Sequence, residues 1–417
     1  MYYFITFLFV LLAGKATFFD DVNACWFIIE GIILWVGLHK QRITKRDVQI
    51  FVKFALIYLG FCTFRSFFFT GLPIKYWLND VIFLFKFILP SFLFCAVLKE
   101  KAVYYLTRVM IDLAILSLPL YCLQLISPNL VYAIGKAINL PYAHFNGYVN
   151  MVVFTFVKNH AIRNSGFSWE PGAFGFMLIM MLILHWLNNN FTYDKRAKLV
   201  TIAIITTLST TTYVAFALML LVYFRAKGVK VTTLLVFCVP FLCVVATSLP
   251  FLFDKIVDTY NKDMLDIKNI STLSATYIEM GRVMPLNRFG SMLFICDTFG
   301  YKLIFGVSNM YRDTVQLLRN IGISNGIFSF IAQFGVIGLA FVFSQAFKFF
   351  RKYVSAELAV YCLIIILVLG FGECIYVSSL VLALLFLHHY AQARMTDDGT
   401  EVEKAPHYLQ SGKLVYS

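Results

Sequence analysis

Leu199–Phe224 reads LVTIAIITTLSTTTYVAFALMLLVYF, an apolar run interrupted at its centre by Thr206, Thr207, Ser209, Thr210, Thr211, Thr212 and Tyr213. Both flanks are basic, with Lys195, Arg196 and Lys198 before it and Arg225, Lys227 and Lys230 after it. Lys and Arg concentrate on the cytoplasmic side of membrane proteins, so a single crossing would put one basic flank on the wrong side. Two short segments meeting at the hydroxyl-rich tip satisfy the rule. Each half is shorter than a ~30 Å hydrocarbon core requires, so the tip belongs in a protein-lined or wet cavity. The alternative is that these hydroxyls bond across packed helices.

The rest of the chain sets the same context. Of 417 residues, 60% are hydrophobic and 45 are Phe, only 14% are charged, and mean hydropathy is +0.78. That composition predicts an all-α, polytopic membrane protein rather than a nucleic-acid binder, although net charge is +13. Further apolar runs fall near 2–19, 22–38, 48–64, 81–98, 109–126, 172–187, 231–249, 326–347, 358–373 and 375–391. With Leu199–Phe224 counted twice, about 12 transmembrane segments result, both termini are cytoplasmic, and residues 1–391 form one membrane domain. Met1–Gly14 has no basic n-region and reads as a retained first span. Basic segments His39–Arg46, Lys99–Arg108 and Lys348–Lys352 then face inward, and a polar tail, 392–417, follows. Two longer stretches face outward, 127–171 and a large late loop at 250–325.

Cysteine usage gives neither a disulfide framework nor a zinc-ligand spacing. Cys25, Cys62, Cys95, Cys122, Cys238, Cys243 and Cys362 lie in apolar runs and read as small hydrophobes. Glu30, Lys53, Lys86, Asp112 and Glu373 are among the charges inside apolar runs, expected to snorkel, pair or face cavities. His185 reads as a packed or interfacial histidine.

Chemistry-bearing residues collect in the outer loops. Arg163, Asn164, Trp169 and Glu170 precede Pro171-Gly172, a pair that starts a helix and puts Glu170 at its N-terminus. The carboxylate either contacts substrate or caps that helix while pairing with Arg163. Arg282 and Arg288 bracket Pro285 and Asn287 in the late loop; guanidinium groups bind pyrophosphate through paired hydrogen bonds, or contact lipid phosphate. No phosphate loop, no His-Glu-x-x-His and no Asp-x-Asp in the outer loops is present, so no metal and no cofactor is expected.

Arg163–Gly175 (RNSGFSWEPGAFG) resembles the Gly-Phe-x-x-Glu-Pro-x-x-x-Gly segment of bacterial O-antigen polymerases of the Wzy type, which belong with the O-antigen ligases. Ser324–Leu339 (SNGIFSFIAQFGVIGL) is similar to that family's segment leaving the large periplasmic loop. Ligases carry His before the Asn, where this chain has Ser324, which tilts the resemblance toward a polymerase. It implies a metal-independent glycosyltransferase of the bacterial inner membrane, joining undecaprenyl-pyrophosphate-linked oligosaccharides on the periplasmic face. A chain-length regulator is a possible partner under that resemblance, and nucleic acid is not a partner. It assigns catalysis to Arg163, Glu170, Arg282 and Arg288, and substrate contact to Asn164, Trp169, Tyr213, Ser324 and Asn325. Glu170 is left as either base or arginine-orienting group. The neighbouring possibilities are an O-antigen ligase and a capsular or exopolysaccharide polymerase. A lipid-linked oligosaccharide flippase is a different class, against which the long arginine-bearing loop and the lack of repeats argue.

Overall fold

The computed structural model describes residues 1–14, 23–138, 148–230, 232–233, 261, 264–317 and 320–391. Among these the chain is mostly helical: α1 Tyr2–Gly14, α2 Asn23–His39, α3 Lys45–Thr63, α4 Ile74–Phe83, α5 Leu89–Leu98, α6 Ala102–Ile126, α7 Pro128–Ile138 and α8 Pro171–Asn188. The second half contributes α9 Lys195–Thr206, α10 Thr210–Ala226, α11 Ile270–Glu279, α12 Arg288–Phe299, α13 Gly326–Arg351, α14 Ala356–Gly372 and α15 Ser379–Tyr390. Two small ladders depart from the all-α expectation. They are β1 (Tyr148–Asn150) antiparallel to β2 (Thr155–Val157), and β3 (Met284–Pro285) parallel to β4 (Ile321–Gly322).

Among the described residues, four helical stretches are long and apolar enough to cross a membrane: Lys45–Phe69, Ile74–Ile126, Pro171–Asn188 and Gly326–Arg351. Five more apolar helices have 10–17 residues. The expected count of about twelve rests on these shorter helices and on the 231–249 run, nearly all of which lies outside the described residues, as does the 392–417 tail. Helix α8 is the centre of the bundle, apolar all round and buried all round, as its composition demands. It packs on α6, α9, α10 and α14, while α13 packs on α14 and α15. Helix α3 lies at the other extreme, presenting Leu56 and Ile57 outward. Cys62, Cys95 and Cys362 are buried as expected of small hydrophobes, whereas Cys122 is exposed and Cys25 half-buried.

The Leu199–Phe224 run breaks in two. Helix α9 ends at Thr206, Leu208 takes a left-handed φ of 47°, and the Ser209 side chain accepts from the Thr212 amide to start α10. Lys227, just past α10, donates to the Asn190 carbonyl at 3.3 Å, and the tilted ring of Tyr223 lies 4.8 Å from that of Trp186 near the end of α8. The end of α10 therefore returns beside the start of α9, which makes the run a hairpin. At ~1.5 Å per residue its arms are roughly 18 and 26 Å long, and neither reaches the ~30 Å of a hydrocarbon core. His185 accepts its packed role, lying 3.0 Å from Asp194, the N-cap of α9.

Helix α13 kinks where Gly335 has φ 76° and ψ 170°. The break frees the carbonyls of Ala332 and Gln333, which accept from the Val307 and Ser308 amides at 2.7 and 3.1 Å. Arg65, wholly buried, also donates to the Gln333 carbonyl and pairs with Asp80, whose other oxygen accepts from Ser308. This buried pair fastens the 300–310 segment to α3, α4 and α13.

Candidate functional site

The loop before α8 is held by groups from α6. Tyr121 donates to the Ile162 carbonyl at 2.8 Å, and the Gln124 amide donates to the Ala161 and Arg163 carbonyls at 2.8 and 2.9 Å. Buried Asn164 bonds Ser117 at 3.1 Å and Thr206 at 3.0 Å, and its own amide N–H donates to the Thr206 carbonyl. Asn164 thus ties the loop to the hairpin and has no spare group for substrate contact. Its oxygen accepts from the amide of Gly166, whose φ is 48° and whose Cα faces the Phe174 ring, so a side chain is excluded twice over.

Four helix N-termini converge beyond this loop, those of α8, α10, α12 and α13. A Cβ on Gly172, in the first turn of α8, would lie 1.9 Å from Glu373 Oε1. A Cβ on Gly326, at the start of α13, would lie 1.9 Å from the Glu373 carbonyl oxygen. Arg288, first residue of α12, donates to the Thr211 hydroxyl in the first turn of α10 at 2.8 Å, and Thr211 packs on Gly372. Arg163 donates through Nε and a second guanidinium nitrogen to the Leu208 carbonyl at the hairpin tip. The tip therefore carries both arginines.

At the centre lie two carboxyls. Glu170 is the N-cap residue of α8, but its side chain makes no capping bond; it accepts instead from Trp169 Nε1 at 2.8 Å. Its partner is not Arg163 but Glu373, in the connection between α14 and α15, within hydrogen-bonding reach. Burial, then the hydrogen bond and charge of Glu170, push the Glu373 carboxyl well above the usual range, against the opposing pull of Arg288 and Arg163. Dipole ends and two permanent cations around it favour a bound anion, and the pair supplies a proton acceptor.

The other expected site residues are placed differently. Asn325 is the N-cap of α13, accepting from the Phe328 amide at 3.1 Å, and its Nδ2 donates to the Arg288 carbonyl at 3.1 Å, so it positions Arg288. Ser324 donates to the Leu286 carbonyl at 2.7 Å and its amide bonds Ser291, stitching the late loop to α12. Tyr213 spans the hairpin, donating to the Ile205 carbonyl at 2.6 Å. Arg282 is exposed beside β3 and its side chain forms no hydrogen bond or ion pair among the described residues, so it is not brought to the cluster. Sequence reasoning named Glu373 only as a charge in an apolar run and did not single out Thr211. The one available signal was a carboxylate directly after Gly370-Phe371-Gly372, a glycine pair that permits close approach.

Comparison of the chain with family models, curated proteins and solved structures finds no match.

Proposed function

We propose that the chain is a membrane-embedded glycosyltransferase that joins lipid-pyrophosphate-linked oligosaccharide repeats into polysaccharide, with the chemistry of an O-antigen polymerase at the periplasmic face of a bacterial inner membrane. The observation that carries the reading is the Glu170–Glu373 pair set among Arg163, Arg288 and four helix N-termini. A hydroxyl of one repeat attacks the anomeric carbon of another, forming the new C–O bond as the bond to pyrophosphate breaks. The hydroxyl proton passes to the carboxylate pair, and the negative charge growing on the leaving pyrophosphate falls where the guanidinium groups and helix ends already point. Ligation to a lipid core uses the same bond changes, and the identity of the acceptor separates the two.

The test is extension of a purified lipid-pyrophosphate-linked repeat by the purified protein in nanodiscs, resolved as a ladder. The wild type forms the ladder with chelator present. Glu170→Gln and Arg288→Ala lower turnover by about 10²-fold or more, in the range expected for a lost base or lost oxyanion stabilisation. Unchanged ladders from both variants, or transfer only to a lipid core, would reject the polymerase reading.

A further inference from the structure

Helix α13 starts against Glu373 and α15 starts shortly after it, so the far ends of both lie a helix length from the carboxylate pair. Those ends meet the start of α3, where the Tyr390 hydroxyl donates to Asp47 at 2.9 Å. Basic groups from all three helices gather there. His388 and His389, in the last turn of α15, have ring centroids 3.8 Å apart. Lys348 and Lys352 lie within electrostatic range of both rings, and Arg46 within range of His389 and Lys352. None of the five forms an ion pair with a carboxylate among the described residues. Asp47 is committed to its own end of α3, closing the capping box with Thr44 and pairing with Lys99 at 3.7 Å. Burial, then the charge of Arg46, hold the Lys352 ammonium below its ordinary value. Like charges gathered without a counter-charge repel one another, and a bound anion relieves that repulsion.

An apolar groove starts at the same place. It runs along the outer face of α3 with a volume of about 490 Å³, lined by Val48, Gln49, Val52, Lys53, Leu56 and Ile57. Arg46, Gln49 and Lys53 follow at spacings of three and four and so share one face of the helix. A helical side chain leans toward the N-terminus of its helix, which is the direction of Arg46 from Lys53. Beyond Lys53 the groove is aliphatic, and Leu56 is 67% exposed. A soluble anion would use the cations and leave the groove empty. A cationic end continued by an open aliphatic trough fits a ligand that arrives from within the membrane, with an anionic head and an acyl chain.

We propose that the cluster of Arg46, Lys348 and Lys352 binds the head of an anionic phospholipid, with one acyl chain along the Val48–Ile57 face of α3. The three side chains give the phosphodiester charge-assisted hydrogen bonds, and Gln49 and Lys53 face the ester groups below it. The site is independent of the glycosyl-transfer reading and needs only that this face of α3 meet lipid.

The test is native mass spectrometry of the full-length protein after equilibration in detergent with equal amounts of phosphatidylglycerol and phosphatidylcholine of the same chains. One phosphatidylglycerol is expected to stay on each protein in preference to phosphatidylcholine. Arg46→Gln combined with Lys352→Gln lowers that preference roughly tenfold or more. Lys195→Gln combined with Lys198→Gln, the same loss of charge at the start of α9, leaves it unchanged. Leu56→Trp fills the groove without altering charge and lowers retention of phosphatidylglycerol. A wild-type protein without the preference, equal loss from both double variants, an unaffected Leu56→Trp protein, or displacement of the lipid by inorganic phosphate each overturns the proposal. A preference that emerges only with Asp397→Asn, Asp398→Asn, Glu401→Gln and Glu403→Gln together also overturns it, and gives the cluster to that acidic stretch of the chain instead.

Discussion

Gly175→Ala probes the contact that brings the hairpin to the site. An alanine Cβ here would lie 1.9 Å from Thr212 Oγ1, 2.6 Å from its Cγ2 and 2.8 Å from its Cβ. Turning the Thr212 side chain relieves the first two contacts but not the third, and ordinary contact begins at 3.4 Å. About 0.6 Å of separation between α8 and α10 remains to be found, in a close-packed interface where overpacking costs roughly 1–3 kcal/mol. The displaced helix carries Thr211, so the bond from Arg288 lengthens, and under the proposed function glycan synthesis should fall together with stability. Thr212→Ala removes both near atoms, and Thr212 Oγ1 has no hydrogen-bond partner to lose. The single variant Gly175→Ala should lower the apparent Tm of the detergent-solubilised protein by several degrees, at roughly 2–4 °C per kcal/mol for larger domains. The double variant with Thr212→Ala relieves the Oγ1 and Cγ2 contacts but keeps the Cβ at 2.8 Å, so it should recover only a minor part of that loss. A Gly175→Ala protein as stable as the wild type, or a double variant restored fully to wild-type stability, would refute the close approach of these helices.

Removing the α13 cap by Asn325→Ala loses two hydrogen bonds, one to the Phe328 amide and one to the Arg288 carbonyl, and should cost about 1–2 kcal/mol in chemical denaturation; Asn325→Asp keeps the cap and should recover about half. Glu373 has a folded-state carboxyl raised above its unfolded value, so its contribution to stability is fully present below about pH 4.3 and is lost as pH rises through the folded value. The wild-type apparent Tm should therefore decline with rising pH relative to Glu373→Gln, and parallel profiles would show that neither burial nor Glu170 raises this carboxyl. Arg282→Ala should leave glycan ladders unchanged where Arg288→Ala abolishes them; equal loss from both would bring Arg282 back to the site. Reporter fusions at Lys198 and Lys227 should give the same compartment, because Lys227 reaches Asn190 beside the start of α9; opposite signals would disprove the hairpin.

Features whose physics is local were legible in the sequence. The hydroxyl-rich interruption and twin basic flanks of Leu199–Phe224 marked a hairpin, because helix breaking and charge sidedness depend on residues a few positions apart. Pro171 marked the start of α8 for the same reason, since its ring suits a first turn. The glycines of the Arg163–Gly175 segment stood out as a pattern, but their purpose was not visible there. Gly172 and Gly175 are small because Glu373 and Thr212, far along the chain, lie against them. Only the tertiary structure turned Glu170 from a capping residue into half of a carboxyl pair. Likewise it separated Arg288, which bonds the hairpin tip, from Arg282 six positions earlier, which is exposed and makes no side-chain bond among the described residues. Hydropathy and capping are written in short spacing, whereas the meeting of two helix ends depends on how closely their neighbours pack, and no single segment holds that information.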